Sequence, residues 1–256
     1  MTDAVRAEWS KLRTLASTGW LLVGTVILTV GISVAVAAAV HVTSGSGQDP
    51  TKLSLTGIYL GQTVVAVLAV LAISEEYGTG MIRATLCAMP RRLVLLVAKA
   101  TNVAGLAFVA GLVAVAGCLL AGRLMLPTDG LNPDHGYALV SIGHGPTLRA
   151  AIGSVLYLVL IALLSLGVAT AMRDTAVSIG VVLGLLYLPS ILAQAVTDPL
   201  RRHLQQIAPM TAGLAIQATT NLRSLPISPW AGIGVLAAWA MASLLVGGLL
   251  LRLRDA

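Results

Sequence analysis

The chain has 256 residues, of which 57% are hydrophobic and only 10% charged, and its mean hydropathy is +0.92. Soluble domains carry roughly a quarter charged residues, so this composition excludes an ordinary soluble fold. The formal net charge is +6 and the pI about 9.8, but the basic residues are scattered over the whole chain, without the single stripe that marks a nucleic-acid binder.

Ahead of the first apolar run, Val5, Trp9, Leu12 and Ala16 recur at helical spacing, with Arg6, Glu8, Lys11 and Arg13 on other faces. Residues 3–16 read either as an amphipathic helix lying on the membrane surface or as a plain positive flank. The run from Trp20 to Val40 contains no charged residue and matches the ~20 residues needed to cross a ~30 Å hydrocarbon core. It predicts a span and not a secretory signal, because it runs past the length of a signal core and further spans follow. Those spans are predicted at 58–74, 98–120, 152–171, 176–196 and 230–251. The runs are apolar on every face, which excludes the alternating strands of a barrel and leaves helices. The pieces between them, at most 41–57, 121–151 and 197–229, fall below the ~40 residues at which a domain needs disulfides or metals to fold. Cys87 and Cys118 are expected on opposite sides of the third span, as free thiols.

Threading six spans alternately places Arg6, Lys11, Arg13, Arg83, Arg91, Arg92, Lys99, Arg173, Arg252 and Arg254 on one side. Lys52, Arg123, Arg149, Arg201, Arg202 and Arg223 fall on the other. Basic residues favour the cytoplasm, so both termini are expected there, in a multi-pass protein of the plasma membrane. The polar residues at midspan are read as Ser, Thr, Asn102 and Gln194 only. Ion-coupled transport uses ionisable groups or broken-helix sites near the midplane, and nucleotide hydrolysis uses a G-x-x-x-x-G-K-[ST] loop. Neither pattern occurs in the sequence, so the chain is not expected to be an enzyme, and energy for active transport would come from a separate ATPase.

The segment 75–92 is a dense polar cluster in a nearly uncharged chain. It opens on Glu75, Glu76 and Tyr77, breaks the second helix at Gly78 and Gly80, and ends at Pro90, Arg91 and Arg92. Between them, residues 81–89 form a predicted short helix that shows Ile82, Leu86 and Met89 on one side, and Pro90 stops it. Such a helix, apolar on one side and charged at its ends, fits a groove on a cytosolic partner. Further on, Pro189 is expected to kink the fifth span, and Ile207 to Ile216 is apolar but too short to cross.

In this order of features the chain resembles the permease subunits of type-2 ATP-binding-cassette (ABC) exporters. The acidic-Tyr pair, the glycine-threonine step, the leucine and the Pro-Arg ending after the second span carry the resemblance, together with six spans and a basic end at Arg252 and Arg254. Two features depart from it: Gly80-Met81 stands at the usual Gly-Thr step, with a Gly78-Thr79 step two residues earlier, and Leu86-Cys87 replaces a Leu-Leu pair. The resemblance implies one transmembrane permease domain over residues 1–256. Its fold would be all-α and polytopic, with six transmembrane helices, an N-terminal interfacial amphipathic helix and a re-entrant or interfacial segment before the last span. It further implies that the 75–92 coupling loop docks on a nucleotide-binding ATPase subunit through Glu75, Glu76, Tyr77, Gly80, Ile82, Arg83, Leu86, Pro90 and Arg91. ATP and Mg would sit on that partner and no cofactor in this chain. A second permease copy, identical or homologous, completes the complex in the lipid bilayer.

Gly57/Gly61 and Gly180/Gly184 have the spacing of close-packed membrane helices. With 26 glycines in the chain, roughly two or three such pairs arise by chance, so Gly180 and Gly184 point only weakly to a dimer face. His41, His135, His144 and His203 all fall outside the predicted spans, which argues against a metal or Ser–His protease site within the membrane. The expected function is export of a hydrophobic or amphipathic compound. The alternatives are a non-transporting immunity or regulatory subunit that binds an ATPase, and an uncoupled channel or scaffold.

Overall fold

The computed structural model describes residues 16–39, 49–78, 92–126 and 145–253. Nearly all of them are helical, and among them six helices are long and apolar enough to cross a membrane. The protein is an all-α, multi-pass membrane protein. The crossing helices are α1 (Ala16–Ala39), α3 (Ile58–Gly78), α4 (Arg92–Met125), α5 (Gly145–Met172), α6 (Thr175–Ala195) and α9 (Pro229–Leu253). Short helices fill the connections: α2 (Pro50–Ser54), α7 (Leu200–Ile207) and α8 (Pro209–Leu214), followed by 3₁₀ turns at Ala215–Gln217 and Leu222–Ser224.

All six predicted spans are present, with different ends. The third and fourth are much longer than expected, at 34 and 28 residues. Beyond the predicted bounds, the α4 helix takes in Arg123 and α5 takes in Arg149. A helix has no reason to stop where hydrophobicity does. Pro127 follows α4, and Pro146 stands in the first turn of α5, where its missing N–H costs nothing. Helix α3 is described as far as Gly78, and the predicted break at Gly80 lies outside the described residues. Helix α6 continues through Pro189 to Ala195.

Helix α5 is the centre of the bundle, packed on α3, α4, α6 and α9. Of its most apolar stretch 61% is buried, against 22% for α1 and for α6, so those two turn most of their surface outward. In a bilayer that outward surface faces lipid, and there is no hydrophobic drive between helices. Close backbone approach must hold the bundle instead. Gly57 and Gly61 provide it for α1 and α3: a Cβ on either would run into Thr29 of α1. This pair, set aside as chance on frequency alone, is an internal helix contact. Gly167 and Gly247 do the same for α5 and α9, where a Cβ on Gly247 would lie 2.6 Å from the Gly167 carbonyl oxygen. Gly180 has nothing within 4 Å of its missing Cβ, and Gly184 only Leu188 of its own helix. Both lie on the outward side of α6.

The helices alternate in direction, giving two faces. One carries the end of α3, the start of α4 and the tight turn from α5 to α6 at Arg173. The other carries Asp49, α2, the start of α5 and the α7–α8 hairpin.

Candidate functional site

On the Arg173 face the described residues include both roots of the 75–92 segment. Glu75, Glu76 and Tyr77 lie in the last turn of α3, and Arg92 opens α4. Gly80, Ile82, Arg83, Leu86, Pro90 and Arg91 lie outside the described residues, as do Cys87 and the amphipathic segment before Ala16. Glu75 and Tyr77 are half-buried. The Tyr77 ring packs against the core, and the Arg173 guanidinium stands over it, 5.6 Å from the ring centroid.

Arg173 reaches that position from a two-residue turn. Helix α5 ends at Met172, Arg173 adopts a left-handed conformation (φ 60°), and Asp174 caps α6 by accepting the Val177 N–H at 2.8 Å. A carboxylate at a helix N-terminus is favoured by the helix dipole as well as by the hydrogen bond. The left-handed residue reverses the chain, and a non-glycine there is uncommon. The result is a guanidinium held where α3 ends, tying the loop root to the α5–α6 turn.

Lys99 is a second tie. Read from sequence as a flanking charge, it is in fact 3% exposed within α4, and its Nζ donates to the Ala72 carbonyl of α3 at 3.0 Å. A buried ammonium needs such partners, because desolvating it alone is very costly. Its contact fixes α4 against the last two turns of α3.

The opposite face holds polar structure that the sequence reading did not identify. Asp49 caps α2 through the Lys52 N–H and also accepts from the Thr219 hydroxyl at 2.6 Å, the Thr219 N–H and the Thr220 N–H at 3.0 Å. One carboxylate thereby joins the α1–α2 connection to the loop after α8. Arg149 of α5 donates to the Ala218 carbonyl beside it. Helix α8 is buried apart from Thr211, and the turn after it is buried from Ala215 to Gln217. This is the apolar segment too short to cross, folded back into the bundle.

Beneath α8 lies a polar cluster centred on Gln62, which the inventory of polar span residues omits. Gln62 is fully buried. Its Oε1 accepts from Tyr157 Oη, and its Nε2 donates to the Tyr59 carbonyl at 3.0 Å and to Tyr187 Oη at 3.2 Å. Tyr187 Oη donates to the same Tyr59 carbonyl and shares a 2.7 Å hydrogen bond with Thr63. The cluster links α3, α5 and α6, and the Met210 sulfur approaches Gln62 from α8 at 3.3 Å. Gln194, the glutamine read from sequence, is exposed at the end of α6. Gln62 could have been found: it stands within the predicted second span.

Ser154 accepts from Gln217 Nε2 at 3.3 Å, and Ser165 donates to the Ile161 carbonyl. His203 is exposed on α7. Among the described residues no group of three His, Cys, Asp or Glu could hold a metal ion. Cys118 is a free, buried thiol that accepts from Ser33 Oγ at 3.2 Å. No protein-family model matches the chain, and no curated protein matches it either.

Proposed function

We propose that the chain is the membrane-spanning permease subunit of an ABC exporter, moving a hydrophobic or amphipathic compound with energy from ATP hydrolysed on a separate subunit. The observation that carries this reading is the tie at the root of the 75–92 segment. Tyr77 at the end of α3 is engaged by Arg173 from the α5–α6 turn, and Lys99 pins α4 to α3 one turn away. A segment held at its root by three helices passes a push on to all three, whereas a solvated flank needs no such anchorage. In this reading the Arg173 face is cytoplasmic, which agrees with the ten-to-six division of Lys and Arg. Glu75, Glu76 and Tyr77 lead into the docking segment, ATP and Mg belong to the partner, and a second permease copy packs on the outward face of α6.

The test is purification of the tagged full chain from its native membrane, with the partner identified as a chain bearing a phosphate loop. The Glu76→Lys variant should lose that partner and the associated ATPase activity while inserting normally. Asp134→Lys changes charge equally, in a connection on the Asp49 face, and should lose neither. Equal partner recovery and ATPase rate in the two variants would reduce the segment to an ordinary flank and remove the main support for an exporter.

A further inference from the structure

On the Arg173 face, the first turns of α4 and the last turns of α9 part to leave a cleft of about 400 Å³. Leu93, Val97 and Ala100 wall it from α4, and Met241 and Gly248 from α9. Arg252 is its one charged or polar lining residue. The cleft opens sideways, as Val97 and Met241 show by being 43% and 63% exposed. From Met241 to Arg252 a helix rises about 16 Å, close to half of a ~30 Å hydrocarbon core. The cleft thus extends from the headgroup level to about the midplane of one leaflet. Gly248 keeps its floor smooth, since a Cβ there would sit 3.3 Å from Leu96 Cδ2.

The charge at the mouth identifies the occupant. Arg252 is exposed in the last turn of α9 and makes no ion pair with a described residue. An apolar trough of one-leaflet depth beneath a guanidinium matches an acyl chain beneath a phosphate. A guanidinium also takes phosphate oxygens through paired N–H donors. We propose that this cleft holds one acyl chain of an anionic glycerophospholipid, with the phosphate on Arg252. The site stands apart from the exporter reading: it needs only the bundle and a bilayer.

The experiment is native mass spectrometry of the full chain, taken from bilayers of equal phosphatidylglycerol and phosphatidylcholine. The wild type should retain phosphatidylglycerol over phosphatidylcholine by about fivefold, the contribution of one basic residue at an anionic surface. Arg252→Gln should bring the two lipids to parity, and Arg202→Gln, exposed on the other face, should leave the preference intact. Gly248→Leu should expel the retained lipid of either kind, and Ala100→Phe should do so from the opposite wall without touching α9. Equal retention by the wild type, a preference that survives Arg252→Gln, or retention unchanged by both filling variants would each overturn the proposal.

Discussion

Replacing Tyr157 by Phe removes one oxygen from the most buried polar cluster of the bundle and leaves the ring in place. The ring must stay, because a Cβ on Gly213 of α8 would lie 2.7 Å from its Cδ2 and Cε2 atoms, so α8 is seated directly on it. With the hydroxyl gone, Gln62 Oε1 loses its donor while both residues remain fully buried. An orphaned buried acceptor costs about 1–3 kcal/mol in water-soluble proteins. Membrane helices show smaller couplings, about 0.6 and at most about 1.7 kcal/mol, so Tyr157→Phe should destabilise by about 1–2 kcal/mol. Gln62→Leu should cost more, since it strands Tyr157 Oη and also withdraws the Nε2 donor from the Tyr59 carbonyl and Tyr187. The double variant should cost less than the sum of the two, because each single change has already spoiled the shared bond. Reversible unfolding of the purified chain in mixed micelles, followed by tryptophan fluorescence, measures all three. Strict additivity, or a neutral Tyr157→Phe, would refute the claim that these two side chains are partners.

Four further outcomes follow from the same geometry. Single cysteines at Ser46 and Asp134 should react with an impermeant reagent on intact cells, and cysteines at Ala4 and Asp255 only after permeabilisation; the reverse pattern would invert the proposed orientation. Gly57→Leu should destabilise by about 1–3 kcal/mol or block folding, because its side chain meets the Thr29 backbone, whereas Gly180→Leu, with open space around it, should leave the stability of the isolated chain unchanged in the same unfolding assay. Arg173→Gln should cost about 0.5–2 kcal/mol through loss of the cation over Tyr77, with Arg173→Lys recovering part of it. The chain reconstituted alone should neither hydrolyse ATP nor concentrate lipophilic dyes when a proton gradient is imposed; gradient-driven dye uptake would show a mechanism other than the one proposed.

The number and order of the crossing helices were legible in the sequence because lipid imposes a length and a composition on each one separately. The ends of α4 and α5 were not, because hydropathy reports where a helix meets lipid and not where its hydrogen bonding stops. Proline reported the stops better. Lys99 shows the same limit for charge: counted as a topology signal, it is buried against a carbonyl of the neighbouring helix, a role that depends on a partner 27 residues away in the chain. Gly57 and Gly61 were unreadable for a related reason. A small-residue pair acquires meaning only from the helix that approaches it, and its frequency in a glycine-rich chain carries no such information. Asp49, 170 residues from Thr219, gave no local signal beyond that of an ordinary helix cap. Of the candidate docking residues, only Glu75, Glu76 and Tyr77 fall among the described residues, and the contact of Tyr77 with Arg173 gave no signal in the local sequence.

Helix α3 is where the two faces of the molecule meet. It carries Tyr77 at one end and Gln62 near the other, 15 residues apart, or about 22 Å of helical rise. At the first end it is tied by Arg173 and Lys99 to the α5–α6 turn and to α4; at the second it is tied through Gln62 to Tyr157, Tyr187 and α8. Beside Gln62, Gly57 and Gly61 bring the same end onto α1 through Thr29. An α-helix resists compression along its axis, so a displacement of its Tyr77 end cannot be absorbed within α3. It must be taken up by the partners at Gln62, where each contact is a hydrogen bond with a fixed length and direction and not a sliding apolar surface. Under the exporter reading, this is how a push at the loop root would reach the hairpin on the opposite face. The same argument ranks the variants: Gln62→Leu should impair export more than it impairs partner binding, and Glu76→Lys should impair both.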